Sequence, residues 1–176
     1  GFKETEIGLI PEDWEVVRIV ELCDFERGTE PGSKSYNREG KGIPFIRVGN
    51  ISAQIQELVY TTSKNVKLCA EDDILISLDG SPGVVVRGIR GAYASGIRKV
   101  VIKTNNIEKG FIYYVLQSPY AQRTIEKYTT GVTIKHASSS LPHLKIPLPP
   151  LSEQQKIAKV LDKIQQAIGL QDRIIE

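Results

Sequence analysis

Hydrophobic positions between residues 14 and 104 fall in short runs separated by turn-forming residues. Apolar or β-branched residues make up most of four of these runs: 43–48, 74–78, 84–86 and 99–102. Gly, Pro, Asn and Asp lie between the runs, a composition typical of turns between strands. The spacing is irregular and no internal repeat is visible. This part of the chain is therefore predicted to form a mixed β-sheet.

The hydrophobic pattern becomes helical from Glu108 onward. Apolar faces with helical spacing are marked by Phe111, Tyr114, Val115, Ile125 and Tyr128. Pro119 is expected to begin a second short helix, because proline fits the first helical turn. A polar loop at 129–136 follows, and prolines then stiffen residues 145–150 into an extended connector. We therefore predict an α+β domain over residues 1–148, with a mixed β-sheet and short helices.

Residues 149–176 predict a Pro-rich junction and one long helix. Ser152 is a candidate N-cap, with Gln155 completing a capping box. A heptad seam with one polar position follows: Ile157, Leu161, Ile164, Ile168, Gln171 and Ile175. Such an apolar stripe needs a partner. That partner is either another helix or the chain's own domain, and the Pro-rich connector favours helix pairing in a coiled coil.

The composition limits the class of protein. The 176 residues are 40% hydrophobic and 25% charged, which suits one folded domain with a small appendage. Cys23 and Cys69 are too few for a disulfide framework or a cysteine zinc site, so a reducing cytoplasm is expected. No apolar run reaches transmembrane length and no export signal is visible. Because the sequence begins with Gly and contains no Met, we expect a chain without its native first residue or a trimmed fragment.

The formal net charge of +2 conceals an uneven distribution. Residues 1–30 hold nine acidic side chains against three basic ones, a balance of −6. Residues 80–107 hold five basic side chains and no acid, and residues 127–152 are also free of acids. Segments of this kind either attract a polyanion or form ordinary solvated surface.

Catalytic signatures are missing from the sequence. The segment 80–83 (GSPG) does not have the spacing of a hydrolase nucleophile elbow, and no phosphate-binding P-loop string occurs. The single G-x-G, at 40–42, is not followed by the rest of a dinucleotide-binding fingerprint. His136 and His143 have no nearby cysteine or H-E-x-x-H pattern, so no metal site is expected. The chain is therefore predicted not to be an enzyme.

Polar loop residues supply the side-chain types that bind nucleic acid. Arg and Lys contact guanine edges or phosphates, Asn and Gln pair with adenine, and Ser and Thr contact either. These types are concentrated in the segment that follows Phe25 and at the end of the 43–48 run. Each one alone is equally compatible with ordinary surface or packing.

Five stretches resemble a known family when they are taken together and in order. They are 8–14 (GLIPEDW), 42–51 (GIPFIRVGNI), 73–77 (DILIS), 131–135 (GVTIK) and 146–154 (IPLPPLSEQ). This ordered set resembles the specificity subunit of Type I restriction–modification systems. Asp72 stands where the third motif usually has Gly.

The resemblance implies a target recognition domain followed by a conserved-region helix. In that family, two such domains read the halves of a bipartite duplex DNA site, and antiparallel helices set their spacing. Catalysis belongs to partners: a modification subunit that uses S-adenosylmethionine and a restriction subunit that uses ATP and Mg²⁺. No cofactor is expected on this chain. One recognition domain and one helix imply either a half-subunit, which would form a homodimer through its helix, or a fragment of a two-domain subunit.

Residue type and position in the chain indicate the candidate DNA-binding residues. They are Arg27, Lys34, Tyr36, Asn37, Arg38, Arg47, Ser77, Ser81, Arg87, Arg90, Thr133, Lys135 and His136. Asp79 is expected to orient an arginine rather than to read cytosine, and Thr133 and Lys135 to shape a loop or touch phosphate. Two other functions stay open at this point: a helix-mediated protein-interaction module without DNA specificity, and a standalone nuclease or methyltransferase.

Overall fold

A computed structural model describes the backbone of residues 1–175 and the side chains of residues 1–168. The strands are β1 (Phe2–Thr5), β2 (Gly8–Pro11), β3 (Glu15–Arg18), β4 (Cys23–Arg27), β5 (Tyr36–Asn37), β6 (Ile43–Ile46), β7 (Val59–Thr61), β8 (Leu68–Cys69), β9 (Leu75–Ser77), β10 (Asp79–Gly80), β11 (Val85–Val86), β12 (Gly91–Tyr93), β13 (Ile97–Ile102), β14 (Lys135–His136) and β15 (Lys145–Leu148). The helices are α1 (Ile19–Leu22), α2 (Val48–Ile51), α3 (Lys109–Gln117), α4 (Pro119–Lys127) and α5 (Leu151–Ile175). Short 3-10 helices cover Ser33–Ser35 and Ser138–His143.

Two sheets form the body of the α+β domain. One has the order β11-β9-β13-β4 and is antiparallel, and the other has the order β5-β7-β6-β12-β8. The β6–β12 pair is parallel, so the second sheet is mixed as the sequence predicts. All three residues of β9 are buried, because this strand lies in the interior of its sheet and core side chains cover it.

Four predicted apolar runs coincide with strands, with one boundary corrected. The 43–48 run contains β6, but the strand ends at Ile46 and Val48 already lies in α2. The Asn50 side chain accepts a hydrogen bond from the Arg47 N–H at 3.0 Å, which turns the chain into this short helix. The Asn50 side chain therefore places Val48 in a helix, although β-branched residues such as valine usually favour strands.

Helices α3 and α4 pack on the four-stranded sheet. Buried positions on α3 (Phe111, Ile112, Val115 and Leu116) contribute to the largest hydrophobic core. Pro119 begins α4 as predicted, and the Ser118 hydroxyl accepts a hydrogen bond from the Ala121 N–H at 3.3 Å.

The two ends of the domain meet at the start of α5. Strand β3 pairs with β15, which brings Trp14 beside the first turn of the long helix. The Trp14 Nε1–H donates to Glu153 Oε2 at 2.9 Å. These residues belong to the first and last of the five motifs, so motifs far apart in sequence form one junction.

The predicted N-cap of the long helix, Ser152, is wrong by two residues. Helix α5 begins at Leu151, and the Pro150 carbonyl accepts from the N–H groups of Glu153 and Gln154 at 2.9 and 3.1 Å. Because Pro150 already closes the first turn, Ser152 lies inside the helix and the capping box with Gln155 does not form.

Among the side chains that are described, those of the first turns of α5 contact the chain's own domain. Ala158 is buried against α3, and Ile157 packs on the main core while Leu161 is half-buried. Farther along the seam, Ile164 and Ile168 are 50% and 48% exposed. Gln171 and Ile175 of the predicted seam lie outside the residues whose side chains are described. The first turns of the stripe therefore pack on the chain's own domain, and helix pairing by the exposed part stays a prediction.

No helix within residues 1–175 is long and apolar enough to cross a membrane.

Candidate nucleic-acid interface

The paired strands β10 and β14 bring an aspartate and a histidine together, and an arginine of β13 meets the same aspartate. The Asp79–His136 register places Asp79 Oδ1 2.7 Å from His136 Nδ1. Asp79 Oδ2 accepts from Arg98 Nη2 at 3.3 Å. The Arg98 side chain is 9% exposed and the His136 side chain 57%, so the aspartate links a buried cation to a surface ring. The expectation that Asp79 orients an arginine agrees with this geometry.

Two arginines converge on one carbonyl beside this cluster. Arg98 Nη1 and Arg27 Nε donate to the Ser95 carbonyl at 2.5 and 3.1 Å, and Arg98 Nη2 also donates to Ser138 Oγ at 3.1 Å. Burial lowers the pKa of Arg98, and the Asp79 charge acts in the opposite direction. With its donors occupied, Arg98 holds the loops in place, while the exposed Arg27 side chain stands at the surface.

Glu30 connects the first loop to the same cluster. Its Oε1 accepts from the Ser95 N–H at 3.1 Å and from Ser95 Oγ at 3.2 Å, and its Oε2 accepts from the Tyr36 hydroxyl at 2.7 Å. The Tyr36 ring packs on Phe45 with centroids 4.9 Å apart. Burial and the Glu30 carboxylate raise the pKa of Tyr36. We define the loop network as the hydrogen-bonded chain of Tyr36, Glu30, Ser95, Arg98, Asp79 and His136.

A hairpin loop projects from one end of the loop network. Residues 130–136 are closed by backbone hydrogen bonds of 2.8 and 2.9 Å between Thr130 and His136. Gly131 has a φ of 95°, and a Cβ there would stand 2.1 Å from the Ile134 carbonyl oxygen. The loop therefore requires glycine at this position. Val132, Thr133, Ile134 and Lys135 are exposed around it.

Three other candidates from the first loops are occupied in holding those loops. Asn37 Oδ1 accepts from the N–H groups of Glu39 and Lys41 at 3.2 and 3.0 Å. Arg38 pairs with the Glu57 carboxylate at 3.2 Å, and Arg47 Nη2 donates to the Glu57 carbonyl at 2.9 Å. Lys34 is exposed on its 3-10 helix.

Ser77 is a correction to the predicted set. Its side chain is buried, donates to the Ser81 carbonyl and accepts from the Val84 N–H at 3.1 Å. A buried hydroxyl that already donates one hydrogen bond and accepts another cannot contact a DNA duplex. Ser81 is half-buried and its Oγ accepts from Gln54 Nε2 at 3.3 Å at the rim of the loop network.

Arg87 serves the junction with α5 and lies apart from the loop network. It forms an ion pair with Asp162, and its guanidinium lies 4.2 Å from the Tyr113 ring centroid. The Tyr114 hydroxyl donates to the same Asp162 carboxylate at 2.6 Å. The Tyr114 hydrogen bond, reinforced by Arg87, lowers the pKa of Asp162. Arg90 is exposed near Leu68 and Cys69, also away from the loop network.

Nothing in the described part of the chain gathers three or more metal-ligating side chains of the His, Cys, Asp or Glu type.

Comparison with known proteins identifies the family. The family model for the Type I restriction modification DNA specificity domain matches residues 11–176. The chain belongs to this family. A putative type I restriction enzyme MjaX specificity subunit of Methanocaldococcus jannaschii is 36% identical over 178 residues, covering 97% of this chain and 41% of the relative. The MjaVIII specificity subunit of the same organism is 30% identical over 192 residues, covering 100% and 41%.

Solved structures agree with this assignment. The HsdS subunit from Thermoanaerobacter tengcongensis is similar with a TM-score of 0.69 and 27% identity, covering 94% of this chain and 40% of that chain. This specificity domain thus spans about two fifths of the relatives that it matches.

Sequence reasoning missed part of the loop network in this specificity domain. Arg98, Glu30 and Ser95 were not among the candidates, although Arg98 lies in the acid-free run at 80–107. The signal that distinguishes Arg98 is its position on β13, where it is buried next to Asp79 of β10. A buried arginine requires a carboxylate partner, and that partner becomes visible only when the strands are paired.

Proposed function

We propose that this specificity domain reads one half of a bipartite duplex DNA site through the loop network and the 130–136 loop. The observation that carries the proposal is the convergence of Arg27, Asp79 and His136 on one surface beside an exposed, glycine-closed loop. In this arrangement Arg27 and His136 present donors to base edges, and Lys135 contacts a phosphate.

The buried members of the loop network serve as supports. Arg98 fixes the Ser95 and Ser138 loops, and Asp79 holds the His136 ring by its Nδ1. Side chains that are held before binding lose less conformational freedom when DNA binds. Family membership supports this reading, since the relatives are specificity subunits of type I restriction enzymes.

Methylation and cleavage are proposed to belong to partner subunits. The chain would direct a modification subunit that uses S-adenosylmethionine and a restriction subunit that uses ATP and Mg²⁺, as the family resemblance implies. We place such a complex in a reducing cytoplasm, a location that is consistent with the two buried free cysteines.

Affinity measurements with two variants test the DNA-reading surface. Lys135→Ala should weaken binding to all duplexes and reduce the slope of log affinity against log salt by about one. Arg27→Ala should cost about 1–3 kcal/mol at one base position and leave binding to other sequences little changed. Lys41→Ala, in the loop between β5 and β6, is the matched control. Unchanged affinity and salt slope in both variants would place the interface elsewhere.

The same measurement separates the alternative function. A protein-interaction module without DNA specificity would bind duplex DNA weakly and without preference among sequences. Counterion release by a DNA-binding domain instead produces a steep fall in affinity with added salt. Family membership favours DNA recognition over the interaction module.

A further inference from the structure

A second basic surface lies on the other side of α4 from the 130–136 loop. Helix α4, the 3-10 helix Ser138–His143 and strands β3 and β15 enclose a cleft of about 730 Å³. We define the basic groove by the residues that give this cleft its character: Arg18, Arg123, Lys127, Tyr128, His143 and Lys145. None of these residues was among the candidates for base reading.

The charges of the basic groove are only partly neutralised. Lys145 pairs with Glu6 at 2.6 Å, and Arg18 pairs with Glu21 at 2.7 Å. Within residues 1–168, Arg123 and Lys127 have no carboxylate within 4.0 Å, and both are exposed. They lie four residues apart on α4, so they share one face of the helix. Two adjacent cations at the wall of a cleft concentrate positive potential there.

Packing holds the wall of the basic groove in place. The Tyr128 and His143 rings stack with centroids 4.0 Å apart and an interplanar angle of 3°. Ser139 Oγ donates to the Tyr128 carbonyl at 2.9 Å, which ties the end of α4 to the 3-10 helix. The Lys127 ammonium lies 5.6 Å from the Tyr128 ring centroid. The cations are thus carried by a fixed surface.

The 3-10 helix Ser138–His143 joins the basic groove to the loop network. The 3-10 helix begins at Ser138, which accepts from Arg98, and it ends at His143 in the groove. At about 2.0 Å per residue, this helix separates the two surfaces by roughly 10 Å. B-DNA carries one phosphate charge per about 1.7 Å of its axis, so a duplex that extends roughly 10 Å past the loop network presents several phosphates over that distance.

We propose that the basic groove binds the phosphate backbone of the duplex outside the base pairs that the loop network reads. This inference rests on the proposed function. Cations and phenol hydroxyls line the groove, and such groups contact phosphate without distinguishing sequence. The groove therefore contributes affinity and orientation, and the loop network contributes specificity.

The test compares two double variants of the purified protein on cognate and unrelated duplexes. Arg123→Gln with Lys127→Gln should reduce the slope of log affinity against log salt by about 1.8, at about 0.9 per phosphate contact. Affinity for the cognate and the unrelated duplex should fall by the same factor. Lys156→Gln with Lys159→Gln, two exposed lysines of α5, is the matched control and should leave the slope unchanged. Thermal unfolding checks that each variant remains folded.

The outcomes separate this inference from the function on which it rests. If Lys135→Ala lowers affinity while the groove variant keeps the wild-type slope, the groove inference is overturned and the DNA-reading proposal stands. If the groove variant alters the ratio of cognate to unrelated affinity, the groove reads bases and the inference is also overturned. If the wild-type protein shows no salt-dependent binding to duplex DNA, the proposed function itself fails, and the groove inference fails with it.

Discussion

Glu26 links three parts of the domain through one carboxylate. Its Oε1 accepts from Lys67 Nζ at 2.9 Å, its Oε2 accepts from the Tyr93 hydroxyl at 2.9 Å, and Lys99 Nζ lies 3.3 Å away. The Lys67 hydrogen bond outweighs the opposing effect of burial, and Tyr93 and Lys99 add to it, so the pKa of Glu26 falls to about 2. The segment before β8 and strands β4, β12 and β13 are thereby joined.

The stability of the domain should depend on this carboxylate in acid. Because the pKa of Glu26 is lower in the folded state, its contribution is present above about pH 4.5 and is lost as the pH falls toward 2. Urea unfolding between pH 7 and pH 3 should show a smaller loss of stability in Glu26→Gln than in the wild type, from a lower starting value at pH 7. Glu4→Gln on β1 serves as the control and should follow the wild-type curve.

Burial makes both cysteine thiols unreactive. Burial raises the pKa of Cys23 to about 11 and also raises that of Cys69, so the nucleophilic thiolate is scarce at neutral pH. Iodoacetamide at pH 8 should leave both thiols largely unmodified in the folded protein and label both in urea, as read by mass spectrometry. Rapid labelling of either cysteine in the folded protein would contradict this assignment.

At the scale of the elements, the junction between the domain and α5 depends on a buried amide. Gln154 is fully buried, and its Nε2 donates to the carbonyls of Asn106 and Pro149 at 3.0 and 2.8 Å. Its Oε1 accepts from the Glu108 N–H at 2.9 Å. Together with the Trp14–Glu153 and Arg87–Asp162 pairs, this amide fixes the direction in which α5 leaves the domain.

Loss of the Gln154 amide should lower the free energy of unfolding. Gln154→Ala removes the hydrogen-bond partner of three backbone groups, of which the Pro149 carbonyl is buried, and an unsatisfied buried group costs about 1–3 kcal/mol unless water reaches it. We expect a loss of at least about 2 kcal/mol in the free energy of unfolding, measured by urea denaturation. The neighbouring Gln155 is exposed, so Gln155→Ala should change stability by less than about 0.5 kcal/mol. Equal effects in the two variants would show that the buried amide does not hold the junction.

At the scale of the whole molecule, the exposed part of the α5 seam is predicted to pair with another helix. Ile164 and Ile168 are half-exposed at a heptad spacing, beyond the turns that rest on the domain. An apolar stripe in this position is stabilised when a second helix covers it. We propose that the covering helix belongs either to a second copy, which makes a homodimer that reads a two-fold symmetric site, or to the remainder of a two-domain subunit.

Charge substitutions in the seam test the pairing. Ile164→Glu with Ile168→Glu should shift the protein to monomer in sedimentation experiments, if a second copy is the partner, because carboxylates would be buried at the seam. Gln165→Glu with Gln166→Glu adds the same charge at neighbouring exposed positions and should retain the wild-type mass. A wild-type protein that is monomeric at all concentrations would exclude a second copy as the source of the covering helix.

The sequence by itself determined several of the elements and the family. Apolar runs and helical periodicity are local properties, so the runs at 74–78 and 99–102 predicted β9 and β13, and the stripe after Pro150 predicted α5. Ordered motifs likewise predicted the specificity family, which the family model confirmed over residues 11–176.

Only the tertiary structure decided which cations remain available for a ligand. Arg87 and Arg98 look alike in sequence, yet Arg87 pairs with Asp162, 75 residues away, while Arg98 of β13 meets Asp79 of β10, 19 residues away. Arg123 and Lys127 stand exposed in a groove that β3 and β15 help to close. Long-range packing determines which group pairs with a charged side chain. A buried charge is stable only beside an opposite charge or hydrogen-bonding groups, and the fold decides which of these lie nearby.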